Sequence, residues 1–157
     1  EKILLEISEN SGKCFSFKES FKEKLDDCGA YFKHSNKSNL KLSDIFIYPN
    51  LKQEKVNKNK NIDFSANKLL SLNKFSKGVI LSGEENIGST SLLYSLITEY
   101  ASAGYIPVLL NGSDIRQKTP SNLDLQIKRA LKSQFEPQDI LNRFNYDFTY
   151  FINIYST

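Results

Sequence analysis

Between the apolar run Val79-Ile80-Leu81 and a helix-patterned stretch that begins near Ser89, the chain reads Gly83-Glu84-Glu85-Asn86-Ile87-Gly88-Ser89-Thr90. Apart from the lysine, every fixed position of the phosphate-cradling template G-x-x-x-x-G-K-[ST] is present. Such a loop binds anions because glycines let the backbone wrap tightly, its amides turn inward, and the start of the following helix adds a partial positive charge. The candidate nucleotide contacts are therefore Gly83, Glu84, Glu85, Asn86, Ile87, Gly88, Ser89, Thr90 and Ser91, with the Thr90 hydroxyl placed to ligate the magnesium that accompanies ATP or ADP. The same two glycines would equally serve a plain strand-to-helix turn in an α/β domain that holds no nucleotide.

Two departures from the template limit the chemistry. Ser89 stands where lysine normally bridges the outer phosphates, so it donates a hydrogen bond but no charge, and Glu84 and Glu85 make the local field more negative. A backbone nest alone binds more weakly. Hydrolysis also depends on stabilising charge that builds on the transferring group, and on an acid at the end of a later apolar strand. The later strand candidate, Tyr150-Phe151-Ile152-Asn153-Ile154, ends without a carboxylate, and Asp147 lies ahead of it on the wrong side. No catalytic residue is assigned; the most that the motif supports is a phosphate-loop ATPase with weak or absent turnover.

The elements that must position this loop are legible from hydrophobic spacing. Leu92, Leu93, Leu96, Ile97 and Tyr100 place one apolar stripe on a helix from Ser89 to Ala103, and Gly104 sits where a C-terminal cap belongs. Val79-Ile80-Leu81 suits a strand buried on both faces, and Tyr105 to Leu110 is a second strand candidate with Pro107 near its start. Strand, helix, strand is a βαβ unit, which predicts a parallel sheet. Ser65 to Phe75 suits a helix with Leu69, Leu70 and Phe75 inward, closed by Lys77-Gly78. Further on, Ser121 and Asp124 have the spacing of a capping box, with Leu123, Ile127, Ala130 and Leu131 along one helical face. Pro137 opens a short helix through Phe144, and Phe148 to Tyr155 reads as a third strand.

Upstream, Lys2 to Ile7 reads as a short strand, and Phe17, Phe21, Leu25 and Cys28 recur at helical spacing until Gly29. Leu40 to Tyr48 has an extended, apolar look that stops at Pro49-Asn50, as an arm laid against a sheet would. Lysine and asparagine interleave from Lys52 to Asn61, which has little to bury and marks the likeliest boundary. The predicted organisation is an N-terminal strand, helix and docking arm at 1–51, a linker at 52–63, and an incomplete phosphate-loop α/β domain at 64–157. The fold class is α/β: a three-layer core of the phosphate-loop NTPase type with a partial parallel sheet, preceded by a small α+β segment.

Composition narrows the partners. The chain has 157 residues, 39% of them hydrophobic and 25% charged, enough to bury a core without covalent staples. No apolar run approaches the roughly 20 residues that a bilayer requires, and no secretory leader opens the sequence, so a cytoplasmic protein without a membrane partner is expected. A net charge of +3 carried mostly by lysine does not announce nucleic acid, even at Lys52 to Lys60. Cys14, Cys28 and His34 are too few, and too oddly spaced, for a zinc site; the cysteines read as reduced and packed, and His34 as a solvated loop residue. Asp114 reads as equally a turn residue or an orienting acid, and Tyr146, Tyr150 and Tyr155 as sheet residues. The chain contains no methionine, so Glu1 is not a translational start and the sequence is expected to be a stretch of something longer.

Three strings are similar to a known family. Leu42-Ser43-Asp44-Ile45-Phe46-Ile47-Tyr48-Pro49-Asn50-Leu51, then Leu81-Ser82-Gly83-Glu84-Glu85-Asn86-Ile87-Gly88-Ser89-Thr90-Ser91-Leu92-Leu93, then Gly104-Tyr105-Ile106-Pro107-Val108-Leu109-Leu110-Asn111-Gly112, resemble the NTPase core of bacterial STAND-type (NACHT-like) proteins. The resemblance covers roughly Leu40 to Gln134; its middle string is general to phosphate-loop enzymes and the flanking ones are more particular. It implies an ATP-dependent switch that oligomerises, works between flanking effector and sensor domains, and serves in antiphage defence. By the same resemblance Gly83 to Thr90 would touch the nucleotide phosphates and Thr90 the magnesium. Ser89 and the missing acidic strand depart from the family pattern. Two readings follow: a nucleotide-binding switch module, or a catalytically dead scaffold whose α/β core presents surfaces to partner proteins.

Overall fold

A computed structural model describes residues 16–29, 35–37, 39–53, 62–71, 79–112, 120–136 and 152–156. The chain is a mixed α/β protein, with elements in the order α1 (Glu19–Asp26), α2 (Leu42–Ile45), β1 (Asn50–Gln53), β2 (Ile62–Ser65), a 3-10 helix (Ala66–Leu70), β3 (Val79–Gly83), α3 (Ser89–Ser102), α4 (Pro120–Gln134) and β4 (Ile152–Ser156). Contacts divide it into two units. One joins Glu1–Leu25 to Ile97–Asp147, and the other joins Asp26–Leu96 to Phe148–Thr157.

In the first unit, α4 supplies the spine of the core. Ile127, Leu131 and Phe135 recur every four residues, fall on one face, and are at most 3% exposed. Phe17, Leu123, Ile106, Val108 and Leu110 pack against them. The alternation of Ile106, Val108 and Leu110 is the period-2 spacing of an extended chain that lays one side on a core. The Phe17 ring lies tilted against Phe135 at 4.8 Å and meets Phe21 edge-on at 5.2 Å, which ties α1 into the same cluster. Residues 16–18 run antiparallel to 134–136, joined by Lys18 N–H to Gln134 O and Glu136 N–H to Ser16 O, each 2.9 Å. The Lys18 ammonium donates to the Lys132 carbonyl at 2.7 Å, where the last turn of α4 has acceptors without helical partners and a partial negative charge.

The second unit holds two small sheets. β1 and β2 pair antiparallel, from Asn50 opposite Ser65 to Gln53 opposite Ile62, and the Ala66 amide extends the ladder to the Pro49 carbonyl at 2.8 Å. The predicted linker 52–63 therefore has its two ends in paired strands; 54–61 lie outside the described residues. β3 and β4 pair in parallel, from Val79 opposite Ile152 to Gly83 opposite Ser156. Among the described residues of this unit, Leu42, Ala66, Leu69, Leu92 and Leu96 are buried.

Several local expectations are corrected. Tyr105–Leu110 is not a strand, because among the described residues it has no ladder partner; the parallel neighbour of β3 is β4. The apolar stretch from Leu40 is not an extended arm throughout. Leu42–Ile45 makes one helical turn, since Asp44 accepts the Lys41 amide at 3.0 Å and the Lys37 ammonium at 2.6 Å, which rewards a turn over an arm. The helix expected over Ser65 to Phe75 is a 3-10 helix of Ala66–Leu70 that buries Leu69, and 72–78 lie outside the described residues. β3 is not covered on both faces: its burial alternates, and Ile80 is 74% exposed. α4 opens at Pro120, as proline's fixed φ suits a first helical turn, so Ser121 lies inside the helix rather than ahead of it; Asp124 pairs with Lys128 one turn on at 2.7 Å. α1 ends at Asp26, before Gly29. The strand at Lys2 to Ile7, the helix at Pro137 to Phe144, Cys14, His34, Asp114, Tyr146, Asp147 and Tyr150 lie outside the described residues.

Candidate functional site

The loop from Gly83 to Thr90 leaves the C-terminal end of a parallel strand and enters a helix, so its amides are delivered at a helix start. The first intrahelical bond of α3 runs from the Leu92 amide to the Gly88 carbonyl at 3.0 Å. Gly88 is thus the helix cap, and the amides of Ser89, Thr90 and Ser91 precede any helical acceptor. Two residues of the loop have left-handed backbone, Asn86 at φ 62° and Gly88 at φ 88°. Asparagine is among the few side chains that tolerate this region, and glycine has no Cβ to clash. Left-handed residues alternating with right-handed ones turn successive N–H groups toward one side, which is the geometry of an anion nest.

The side chains around this backbone are mostly solvated. Glu84, Glu85, Asn86, Ile87, Gly88 and Thr90 are exposed, while Gly83, Ser89 and Ser91 are half-buried. A methyl group built on Gly88 would meet nothing within 4 Å, so the space beside the nest is open there. One built on Gly83 would lie 3.1 Å from Ile87 Cγ2, which shows that the Ile87 side chain folds back over the first glycine. What bears on a phosphate here is the left-handed backbone at Asn86 and Gly88, the open space beside Gly88 and the exposed position of Thr90. For magnesium the fit rests on Thr90 and on the phosphates themselves, since no group of three or more His, Cys, Asp or Glu side chains able to hold a metal occurs among the described residues.

The later strand candidate, read as ending without an acid, is observed as β4, and the register places Ser156 beside Gly83. The position that adjoins the start of the loop therefore carries a serine and no carboxylate. Cys28 is half-buried, and its Sγ donates to the Leu40 carbonyl at 3.5 Å; that is a packing role. Lys52 is the described member of the basic stretch, and it lies in β1, opposite Asp63. No described helix is long and apolar enough to cross a membrane.

Sequence reasoning missed two features. It credited the glycines alone with the loop's curvature, although Asn86 supplies one of the two left-handed turns; an asparagine inside a glycine-bounded loop was the available signal. It also gave Gln134 no role, and nothing in a single sequence distinguishes that glutamine from others on α4. Searches of protein-family models, curated proteins and solved structures return no match to this chain.

Proposed function

We propose that this chain is a nucleotide-binding switch module of a larger STAND-type protein, holding ATP or ADP with magnesium and hydrolysing it weakly or not at all. The observation that carries this reading is the alternation of left-handed backbone at Asn86 and Gly88 directly ahead of the first amides of α3. The parallel pairing of β3 with β4 supports a three-layer phosphate-loop core, and the proposal takes the parent protein as cytoplasmic. The resemblance extends the proposal to flanking effector and sensor domains as partners, to homo-oligomerisation and to antiphage defence.

In this reading the amides from Asn86 to Ser91 hold the phosphates, and Thr90 holds the magnesium. The ion would supply charge between the outer phosphates that Ser89 does not. A ligand moves a two-state equilibrium only by its difference in affinity for the two states, so a switch needs no rapid turnover. The neutral Ser89 and the exposed Glu84 and Glu85 favour the second reading, a pseudo-NTPase scaffold. Equilibrium binding of a fluorescent ATP analogue with magnesium, to the chain as it stands and to Ser89→Lys, separates the two. Saturable binding that tightens about tenfold or more in Ser89→Lys, as a charge-assisted hydrogen bond provides, supports the switch. No binding by either form rejects it.

A further inference from the structure

A cleft of about 430 Å³ opens within the first unit, between α1, the Leu109–Asn111 segment and α4. Its volume falls in the range of small-molecule sites. Phe21, Leu109 and Leu110 provide apolar wall, and Phe21 is itself 7% exposed and held by Phe17. Lys24 reaches the cleft from α1 and Arg129 from α4, so its two cations come from separate elements. Among the described residues, no lining residue is acidic. Of the described acids on α1 and α4, Glu19 pairs with Lys22 at 3.1 Å and Asp124 with Lys128 at 2.7 Å. Among the described residues, Arg129 has no carboxylate within ion-pair distance.

The geometry points to a second binding site here, for a small organic anion whose phosphate or carboxylate lies between Lys24 and Arg129 while its apolar body rests on Phe21 and Leu109. Guanidinium matches the two oxygens of such a group with a planar fork, and lysine adds a point charge. Asn111 adds an amide to the polar lining. The inference does not depend on the glycine loop, which belongs to other residues of the chain.

Amide-resolved NMR titration of the 157-residue chain tests it with phenyl phosphate as probe, against inorganic phosphate and the neutral benzyl alcohol. Phenyl phosphate is expected to shift residues 109–111 and 126–134 saturably, at least tenfold more tightly than either control. Arg129→Gln and Lys24→Gln, both at exposed positions, are each expected to weaken that binding fivefold or more while leaving the remaining spectrum in place. Equal binding of benzyl alcohol would overturn the inference, as would unchanged affinity in both variants. Shifts confined to 83–91 would also overturn it, and would speak for the loop alone.

Discussion

The carboxamide of Gln134 pairs with both backbone groups of Leu109: the Leu109 amide donates to Gln134 Oε1 at 2.9 Å, and Gln134 Nε2 donates to the Leu109 carbonyl at 2.7 Å. An amide side chain thereby takes the place that a neighbouring strand would occupy in a ladder. Gln134 is buried, and its own backbone carbonyl accepts the Lys18 amide. One residue at the end of α4 so anchors both the 105–110 segment and the segment that leads into α1.

Gln134→Leu keeps the volume and deletes the pair, leaving the Leu109 groups without their partner. A loss of about 1–3 kcal/mol is expected, the cost of buried polar groups left unmade. Urea denaturation followed by circular dichroism reads it. Gln134→Glu should be worse at neutral pH than in acid, because an ionised carboxylate can accept from the Leu109 amide but cannot donate to its carbonyl. A Glu variant whose stability is flat with pH would contradict this geometry.

α3 closes with a Schellman motif at Gly104, where φ is 86°. The Tyr105 amide reaches back to the Tyr100 carbonyl and the Gly104 amide to the Ala101 carbonyl, each at 3.0 Å. Tyr100 and Tyr105 meet edge-on at 5.9 Å, the hydrophobic contact that accompanies this cap. Gly104→Ala places a Cβ in left-handed backbone and should cost about 1–2 kcal/mol. Open space around the glycine removes any steric term, so Gly104→Asn should recover most of the loss. Thermal melts of the two variants decide it.

At the helix start the same logic bears on binding. Gly88→Ala is expected to strain the cap by about 1–2 kcal/mol and to weaken nucleotide binding by more than its loss of stability accounts for, because the nest amides rotate with it. Asn86→Gly should leave both unchanged, whereas Asn86→Val, β-branched at φ 62°, should impair both. Paired melts and anisotropy titrations separate the two effects. Binding that survives Gly88→Ala at full strength would remove the nest from the proposed function.

Asp44 ties α2 to its surroundings electrostatically. The hydrogen bond from the Lys37 ammonium, and then that from the Lys41 amide, hold its carboxyl below the ordinary carboxylate value. A group depressed in the folded state favours folding above its unfolded pKa, and that contribution is lost as pH falls through the folded value. Asp44→Asn should therefore lower stability at neutral and alkaline pH, leave it nearly unchanged in strong acid, and so flatten the acid side of the stability profile. Chemical denaturation across a pH series measures the difference, and high salt should shrink it.

What the sequence by itself determined are the features whose causes are local. The α4 stripe of Leu123, Ile127 and Leu131, the apolar face of α3, its glycine cap and the strand-loop-helix order around Gly83 follow from spacing over one or two turns, and the structure has them where the spacing puts them. Tertiary structure decided whatever needs a partner far along the chain. A strand exists only beside another strand, so Tyr105–Leu110, with every sign of one, ends up held by a glutamine 25 residues away, while Val79–Gly83 takes its neighbour from Ile152–Ser156. The exposure of Ile80 and the turn at Asp44 are of the same kind: each depends on which surface or charge arrives from elsewhere, and spacing along one segment carries no record of that.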